Sequence, residues 1–353
     1  MSGVGSLGGM ELLRTRELLP TVIWRDESSS TNAELRELVA AGAGAAGAAG
    51  GSGGAGAGGG MGCAGGVIGV GSGGVGRTGD ADGAGSGGAA GSRTPAPSNP
   101  APSNPAGAPL PAGPLPHGTL LVTANQTAGR GRLDRGWVTP PNTAIAASLL
   151  VRGFGASGLG AGWLPLLAGS AIAAALQPFF ADGRRVGVKW PNDVHVRDED
   201  DAMAGRPGLK LCGILCEMLD AETVIVGTGI NLLIPEEELP TERAASLLAA
   251  GADVGRAESL ADEAGRDLAD RVLAAYAAEL LRLVDLAAAN PGAARARVAR
   301  HSLTLGTEVR VHLPGGEVVD GRAGELAEDG ALVVDLPTGG VLTVSAGDIE
   351  HLR

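Results

Sequence analysis

The stretch Gln126–Trp137, QTAGRGRLDRGW, sets Arg130, Arg132 and Arg135 among Gly129, Gly131 and Gly136. Gly-Arg alternation has two readings. It is either a flexible basic segment that wraps nucleic acid, or a tight loop whose backbone and guanidinium groups clasp a small anion. On either side, TLLVTA (119–124) and TAIAASLLV (143–151) alternate as half-buried strands do, so the stretch is a loop between two strands.

Further out, strand-like and helix-like patterns alternate. TVIWR (21–25) reads as a strand, and SSSTNAELRELVA (28–40) as a helix opened by a Ser/Thr/Asn cap, with Leu35 and Leu38 on one face. WLPLLAGSAIAAALQPFF (163–180) reads as an apolar helix, and RVGVKWP (185–191), KLCGILCEML (210–219) and TVIVGTGINLLI (223–234) as three more strands. Residues 241–300, rich in Ala, Leu, Glu and Arg, are expected to be helical. From 301 on, TEVRVHL, ALVVDL and GVLTVSAGDI alternate with period two between Gly-rich turns, which predicts a small barrel-like β unit.

Residues 41–117 break this pattern. Between 41 and 100 fall 25 of the 61 glycines, and between 95 and 116 fall nine of the 21 prolines. Such a composition buries too little apolar surface to offset the entropy of ordering, so a disordered insertion is expected there. The expected organisation is 1–40 as the start of a catalytic domain, 41–117 as the insertion, 118–300 as the rest of that domain, and 301–353 as a C-terminal unit. The expected fold class is α+β, a mixed sheet with helices followed by the small β-barrel.

The formal net charge of −12 and an aromatic content of 2% argue against bulk binding to nucleic acid or an anionic membrane. They leave room for one small cationic pocket. Of the 27 basic residues only Lys189 and Lys210 are lysine, so arginine serves nearly every generic surface role. A lysine kept against that bias presents a compact ammonium where a planar guanidinium does not serve, or is chance retention. An odd three cysteines and no signal peptide point to a reducing cytoplasm.

Four clusters carry polar groups at strand ends or helix starts. Ser30-Thr31-Asn32 is an N-cap, which alone accounts for the composition, or a set of hydroxyl and amide groups aimed at a polar ligand. Arg130 and Arg132, two apart on extended backbone, point the same way and suit a phosphate or carboxylate, although an arginine-rich turn explains them equally. Lys189 beside Asn192 and Asp193 is a turn, or a place where phosphate and a hard cation are held together. Lys210 opens a strand, with Gly213 and GTGIN (227–231) offering small residues against which a flat ligand lies. Outside the glycine-rich stretch no G-x-S-x-G elbow occurs, and no cysteine with a basic partner and no histidine cluster is present. Cations, amides and glycines suit a reaction whose substrates bring both nucleophile and electrophile, such as nucleotidyl transfer.

Together, SSTN (29–32), GRGR (129–132) with GW (136–137), KWPND (189–193), KLCGIL (210–215) and GTGIN resemble the biotin–protein ligases, in that family's order. LPTERAASL (239–247) resembles its loop near the adenylate, and the C-terminal β unit its SH3-like domain. The resemblance implies activation of biotin by Mg·ATP to biotinoyl-5'-AMP, then transfer to one lysine of a biotin carboxyl carrier domain of a carboxylase. It implies Lys210 and Arg132 as catalytic groups, with Ser30, Thr31, Asn32, Gln126, Arg130, Gly131, Arg132, Lys210 and Gly213 around biotin. Arg132, Trp137, Lys189, Asn192 and Asn231 would border the nucleotide, and Asp193 would meet Mg²⁺. A cytoplasmic location follows, and a homodimer is allowed. About twenty residues precede TVIWR, too few for the helix-turn-helix of bifunctional members, so no repressor activity and no DNA or membrane binding is expected. Lipoyl or octanoyl transferases of the same fold group are the alternative, and a non-catalytic Arg-Gly nucleic-acid-binding protein is the alternative from another class. Deleting residues 45–112 is expected to leave adenylate formation and transfer nearly intact; substantial loss of either would show that the insertion is not inert.

Overall fold

The computed structural model describes residues 10–49, 113–132, 135–313, 316–345 and 348–352. After α1 (Leu13–Leu18), strands β1 (Thr21–Arg25) and β2 (Thr119–Thr123) flank α2 (Thr31–Ala49) in the chain. A small ribbon follows, β3 (Gly129–Arg130) with β4 (Gly136–Trp137), and then β5 (Ala144–Arg152) and α3 (Trp163–Leu176). Next come β6 (Arg185–Lys189), β7 (Asp193–Arg197), α4 (Glu199–Met203), β8 (Leu209–Met218) and β9 (Thr223–Asn231). Seven of these strands make one sheet in the order β1-β2-β5-β9-β8-β7-β6, parallel at β1–β2 and antiparallel elsewhere. This is the mixed sheet with helices that the pattern predicts.

The two faces of the sheet meet different fates because alternate residues point to opposite sides. On one face Leu149, Val151, Val224, Val226 and Ile230 join a core completed by α3 and by α5 (Glu263–Ala289). On the other, Ile23, Leu121, Leu150 and Ile225 pack under Leu35 of α2. Helix α2 covers only part of that second face. Further along it β9 turns Gly227, Gly229 and Asn231 outward, opposite Ser148 and Ala146 of β5 and Gly213 of β8. With only the first turn of α2 reaching over Gly227 and no side chain on three of these positions, a cavity results.

The chain departs from expectation in three places. Residues 41–49 continue α2, where the insertion was expected to start. Alanine, the best helix former, alternates there with glycine, and Gly42 lies too close to the Gly113–Pro114 backbone to admit a β-carbon. Residues 50–112, most of the expected insertion, lie outside the described residues. Residues 241–262 are turns, not helix; Gly251 and Gly255 take positive φ, and α5 starts only where Asp262 accepts a hydrogen bond from the Gly265 amide. Asp193, for which a turn was one of two readings, opens β7, a strand whose apolar signal is only Val194 and Val196.

After α6 (Pro291–His301), strands β10 (Glu308–His312), β11 (Val318–Leu326), β12 (Leu332–Asp335), β13 (Val341–Val344) and β14 (Asp348–His351) form an antiparallel sheet in the order β13-β12-β11-β10-β14. Among the described residues no ladder joins β13 to β14, so pairing does not close it into a barrel. The unit docks on the end of β6. Trp190 donates its amide to the Thr304 hydroxyl (3.0 Å) and its indole to the Gly330 carbonyl (3.0 Å), while Leu303 N donates to the Val188 carbonyl (2.8 Å).

At the opposite edge, buried Asp270 of α5 caps α1. Its carboxylate accepts from the amides of Arg14 (2.9 Å) and Thr15 (3.0 Å) and from the Thr15 hydroxyl (2.7 Å). Asp270→Ala leaves these donors without an acceptor and is expected to cost about 2–4 kcal/mol in urea or thermal unfolding. A variant within error of the wild type would show that water replaces the carboxylate at no cost.

Candidate active site

The cavity encloses about 1010 Å³ on the uncovered part of the sheet. Each expected site residue, Ser30, Thr31, Asn32, Gln126, Arg130, Gly131, Arg132, Trp137, Lys189, Asn192, Asp193, Lys210, Gly213 and Asn231, lies on its wall.

Its floor is glycine for a steric reason. A β-carbon on Gly227 would collide with the Asn32 amide, and one on Gly229 with the Trp137 indole. Gly213 also lies beneath that indole, with the Lys210 ammonium alongside. Trp137 reaches this position because β4 pairs with β3, Gly129 facing Trp137 and Arg130 facing Gly136. The Gly-Arg stretch is thus a folded hairpin over the cavity, not an open basic segment. Leu133 and Asp134 at its tip lie outside the described residues.

At one end of the cavity the SSTN segment is both cap and wall. The Glu34 amide donates to the Ser30 carbonyl (3.0 Å) as α2 begins. The Gln126 amide oxygen accepts from the Thr31 amide (3.0 Å), and the Ser148 hydroxyl donates to Asn32 Oδ1 (2.6 Å) and lies 2.8 Å from the Thr31 hydroxyl. Asn32 Nδ2 donates to Glu217 Oε1 (2.9 Å). Ser148 and Glu217 here, and His195 beside Asp193 at the other end, are polar groups that the motifs miss. Their only signal in the sequence is a lone polar residue inside an apolar strand, which many surface-facing positions share.

At the other end Lys210 Nζ meets Asp193 Oδ1 at 2.7 Å and lies 5.7 Å from the centre of the Trp137 ring. Burial alone would raise the Asp193 carboxyl; His195 beside it and the Lys210 charge outweigh that and hold it below the usual carboxylate range, so it is ionised. Lys210 is fixed from behind by the 239–247 segment. Its amide donates to the Arg243 carbonyl (2.8 Å), and its carbonyl accepts from the Ala245 amide (2.8 Å). Arg132 Nη1 donates to Asn192 Oδ1 (3.1 Å), and Asn192 Nδ2 to the Ile214 carbonyl (2.8 Å), which ties the hairpin to the KWPND turn. Lys189 Nζ donates to the Ile349 carbonyl (3.0 Å), so β14 reaches the cavity rim. Asn231 Nδ2 donates to the Ala245 carbonyl (2.9 Å), and its buried Oδ1 has no hydrogen-bond partner.

A resident metal does not fit Asp193. Its Oδ1 already faces an ammonium, and among the described residues no three metal-ligating side chains come together. Thiolate chemistry does not fit either, since burial pushes both the Cys212 and the Cys216 thiol upward. The cavity offers two lysines and three hairpin arginines, Arg130, Arg132 and Arg135, around a glycine floor, an arrangement for an anionic, partly flat ligand. Among the described residues no helix is long and apolar enough to cross a membrane.

Residues 109–231 match the Biotin/lipoate A/B protein ligase family, and residues 304–352 the Biotin protein ligase C terminal domain. The biotin–[acetyl-CoA-carboxylase] ligase of Mycobacterium tuberculosis is 39% identical over 235 residues, 66% of this chain and 79% of that protein. The bifunctional ligase/repressor BirA of Escherichia coli is 33% identical over 137 residues, 37% of this chain and 39% of that protein. The crystal structure of the Aquifex aeolicus biotin protein ligase superposes with a TM-score of 0.53 at 19% identity, covering 95% of this chain and all of that one, a likeness of fold. Built on that sheet, and carrying the motifs along its uncovered face, the chain belongs to the biotin protein ligase family and is a ligase.

Proposed function

We propose that the chain activates biotin as biotinoyl-5'-AMP and passes the biotinoyl group to one lysine of a carrier domain of a biotin-dependent carboxylase. The observation that carries this reading is the Lys210–Asp193 pair, set at 2.7 Å beneath the Gly-Arg hairpin and beside the glycine floor. In the first step a biotin carboxylate oxygen attacks the α-phosphorus of ATP, the bond to the bridging oxygen breaks, and pyrophosphate leaves with its electron pair. In the second, the carrier's neutral ε-amine attacks the acyl carbon, AMP leaves, and the amine loses a proton to solvent.

The side chains fit these needs. Ser30, Thr31, Asn32 and Gln126 offer hydrogen bonds to the ureido ring at one end of the cavity, and Gly213 lets the ring or its tail lie against backbone. Lys210, with Arg132, faces the carboxylate and α-phosphate, where negative charge gathers as the new P–O bond forms. Arg130 and Gly131 close over the acyl-phosphate. Lys189 and Asn192 face the polyphosphate, while Trp137 and the unpartnered Asn231 Oδ1 border the base, whose amine is a suitable donor. Magnesium enters with the triphosphate and not as a bound cofactor of the protein. The C-terminal match at 304–352 favours biotin over a lipoyl or octanoyl group.

The deciding assay supplies biotin, Mg·ATP and a competent carrier domain, and follows pyrophosphate and carrier mass. Absence of both pyrophosphate and a mass gain would overturn the reading, and a gain from octanoate instead of biotin would support the alternative. Lys210→Ala is expected to slow pyrophosphate release by about 10²–10³-fold, the scale for losing one transition-state donor. Lys210→Arg should not restore it, because the guanidinium is broader than the ammonium that fits between Asp193 and Trp137. A Lys210→Ala enzyme within threefold of wild type, about 0.7 kcal/mol in barrier, would remove Lys210 from the chemistry.

A further inference from the structure

Ser148 sits in the middle of β5, fully buried, with Gly227 of β9 as its register partner. Because Gly227 has no side chain, the Asn32 amide lies over it and reaches β8. There Asn32 Nδ2 donates to the Leu215 carbonyl (3.2 Å) and to Glu217 Oε1 (2.9 Å), and Arg36 holds Glu217 in turn (2.9 Å). A carbonyl only accepts, so the nitrogen of Asn32 faces β8 and its Oδ1 faces Ser148.

The Ser148 hydroxyl has one proton, and Asn32 Oδ1 at 2.6 Å can only accept it. The Thr31 hydroxyl lies 2.8 Å from the same Ser148 oxygen. With the Ser148 proton committed to Asn32, the proton of this second bond comes from Thr31. The other acceptor within reach of the Thr31 hydroxyl is Gln126 Oε1, further away at 3.3 Å and already taking the Thr31 amide at 3.0 Å. A Thr31 proton turned there would leave two oxygens 2.8 Å apart with no proton between them. The donors therefore run one way, from Thr31 to Ser148 to Asn32, and the chain ends on acceptors that cannot reverse it.

We propose that Ser148 is a positioning residue that fixes the Thr31 hydroxyl as an acceptor toward the cavity, ready for a ring N–H of the bound acid. The inference rests on the biotin reading and deepens it. A cyclic urea brings N–H donors to this end of the cavity. A dithiolane ring or an alkyl tail brings none, and would leave the Thr31 lone pairs buried without a partner. The relay thus selects a ureido ring over a lipoyl or octanoyl group, although Thr31 lines the cavity and Ser148 lies behind it.

The test varies the ligand as well as the residue, by equilibrium titration of the full chain without ATP. The ligands are biotin and its two carbamate analogues, each with one ring N–H replaced by oxygen. Ser148→Ala is expected to weaken biotin about three- to tenfold, the scale of one hydrogen bond. It should weaken one of the analogues less than about twofold, the one whose missing N–H is the partner of Thr31. In pyrophosphate release the KM for biotin should rise by a similar factor, with kcat and the KM for ATP within about twofold. Ser148→Cys, close in size and a weaker donor, should fall between, and it carries the same comparison should Ser148→Ala not fold. Biotin bound by Ser148→Ala as tightly as by the wild type would overturn the proposal. So would an equal loss for biotin and both analogues, since a serine that only satisfies Asn32 does not distinguish an N–H from an oxygen. A wild type that binds no biotin is a separate failure: it overturns the biotin reading itself, and this inference with it.

Discussion

Lys210 and Asp193 meet at 2.7 Å between neighbouring strands of the sheet, and much of the site is arranged around that contact. Each side chain is half-buried, and a charge taken from water without a partner costs several kcal/mol. Neither position is therefore free to vary alone. The pair also explains why an ammonium was kept at 210 in a chain whose basic residues are, with Lys189 the one other exception, all arginine. The space between the Asp193 carboxylate and the Trp137 ring admits a compact cation, and a forked guanidinium does not match it.

Around the pair, three stretches remote in sequence act as walls. The Gly-Arg hairpin lays Trp137 on the glycines of β8 and β9, the 239–247 turn grips the Lys210 backbone from both sides, and β14 holds Lys189 by a main-chain carbonyl. The C-terminal sheet is thus joined to the same KWPND segment that carries Asn192 and Asp193, with Trp190 as the anchor through both of its N–H groups. A shift of that sheet would be felt at the KWPND end of the cavity before anywhere else.

How much of this is legible in the chain varies with the range of the interaction. The strands and apolar helices follow from periodicity, because alternation and 3.6-residue spacing are local properties. The glycine-rich stretch shows the limit: its composition predicts disorder from residue 41, yet residues 41–49 stay helical as alanine prolongs α2. Residues 241–262 show the opposite failure, helix-forming in content but held as turns by hydrogen bonds to Lys210 of β8, to Asn231 of β9 and to Ile234 just beyond it. His195 and Ser148 escaped notice because a polar residue in a strand has a meaning only once its face is known.

By itself, then, the sequence determined the kinds of element and the polar residues that would gather, since those depend on residue type and short spacing. The tertiary structure decided which of these groups touch. It made Asp193 the counter-ion of Lys210, and it turned the Gly-Arg stretch into a hairpin that lays an indole on the floor. It also left one histidine nitrogen facing a carboxylate. These are facts of register between strands brought side by side, and a strand's partner is set by burying its apolar face against the whole sheet, which no local stretch encodes.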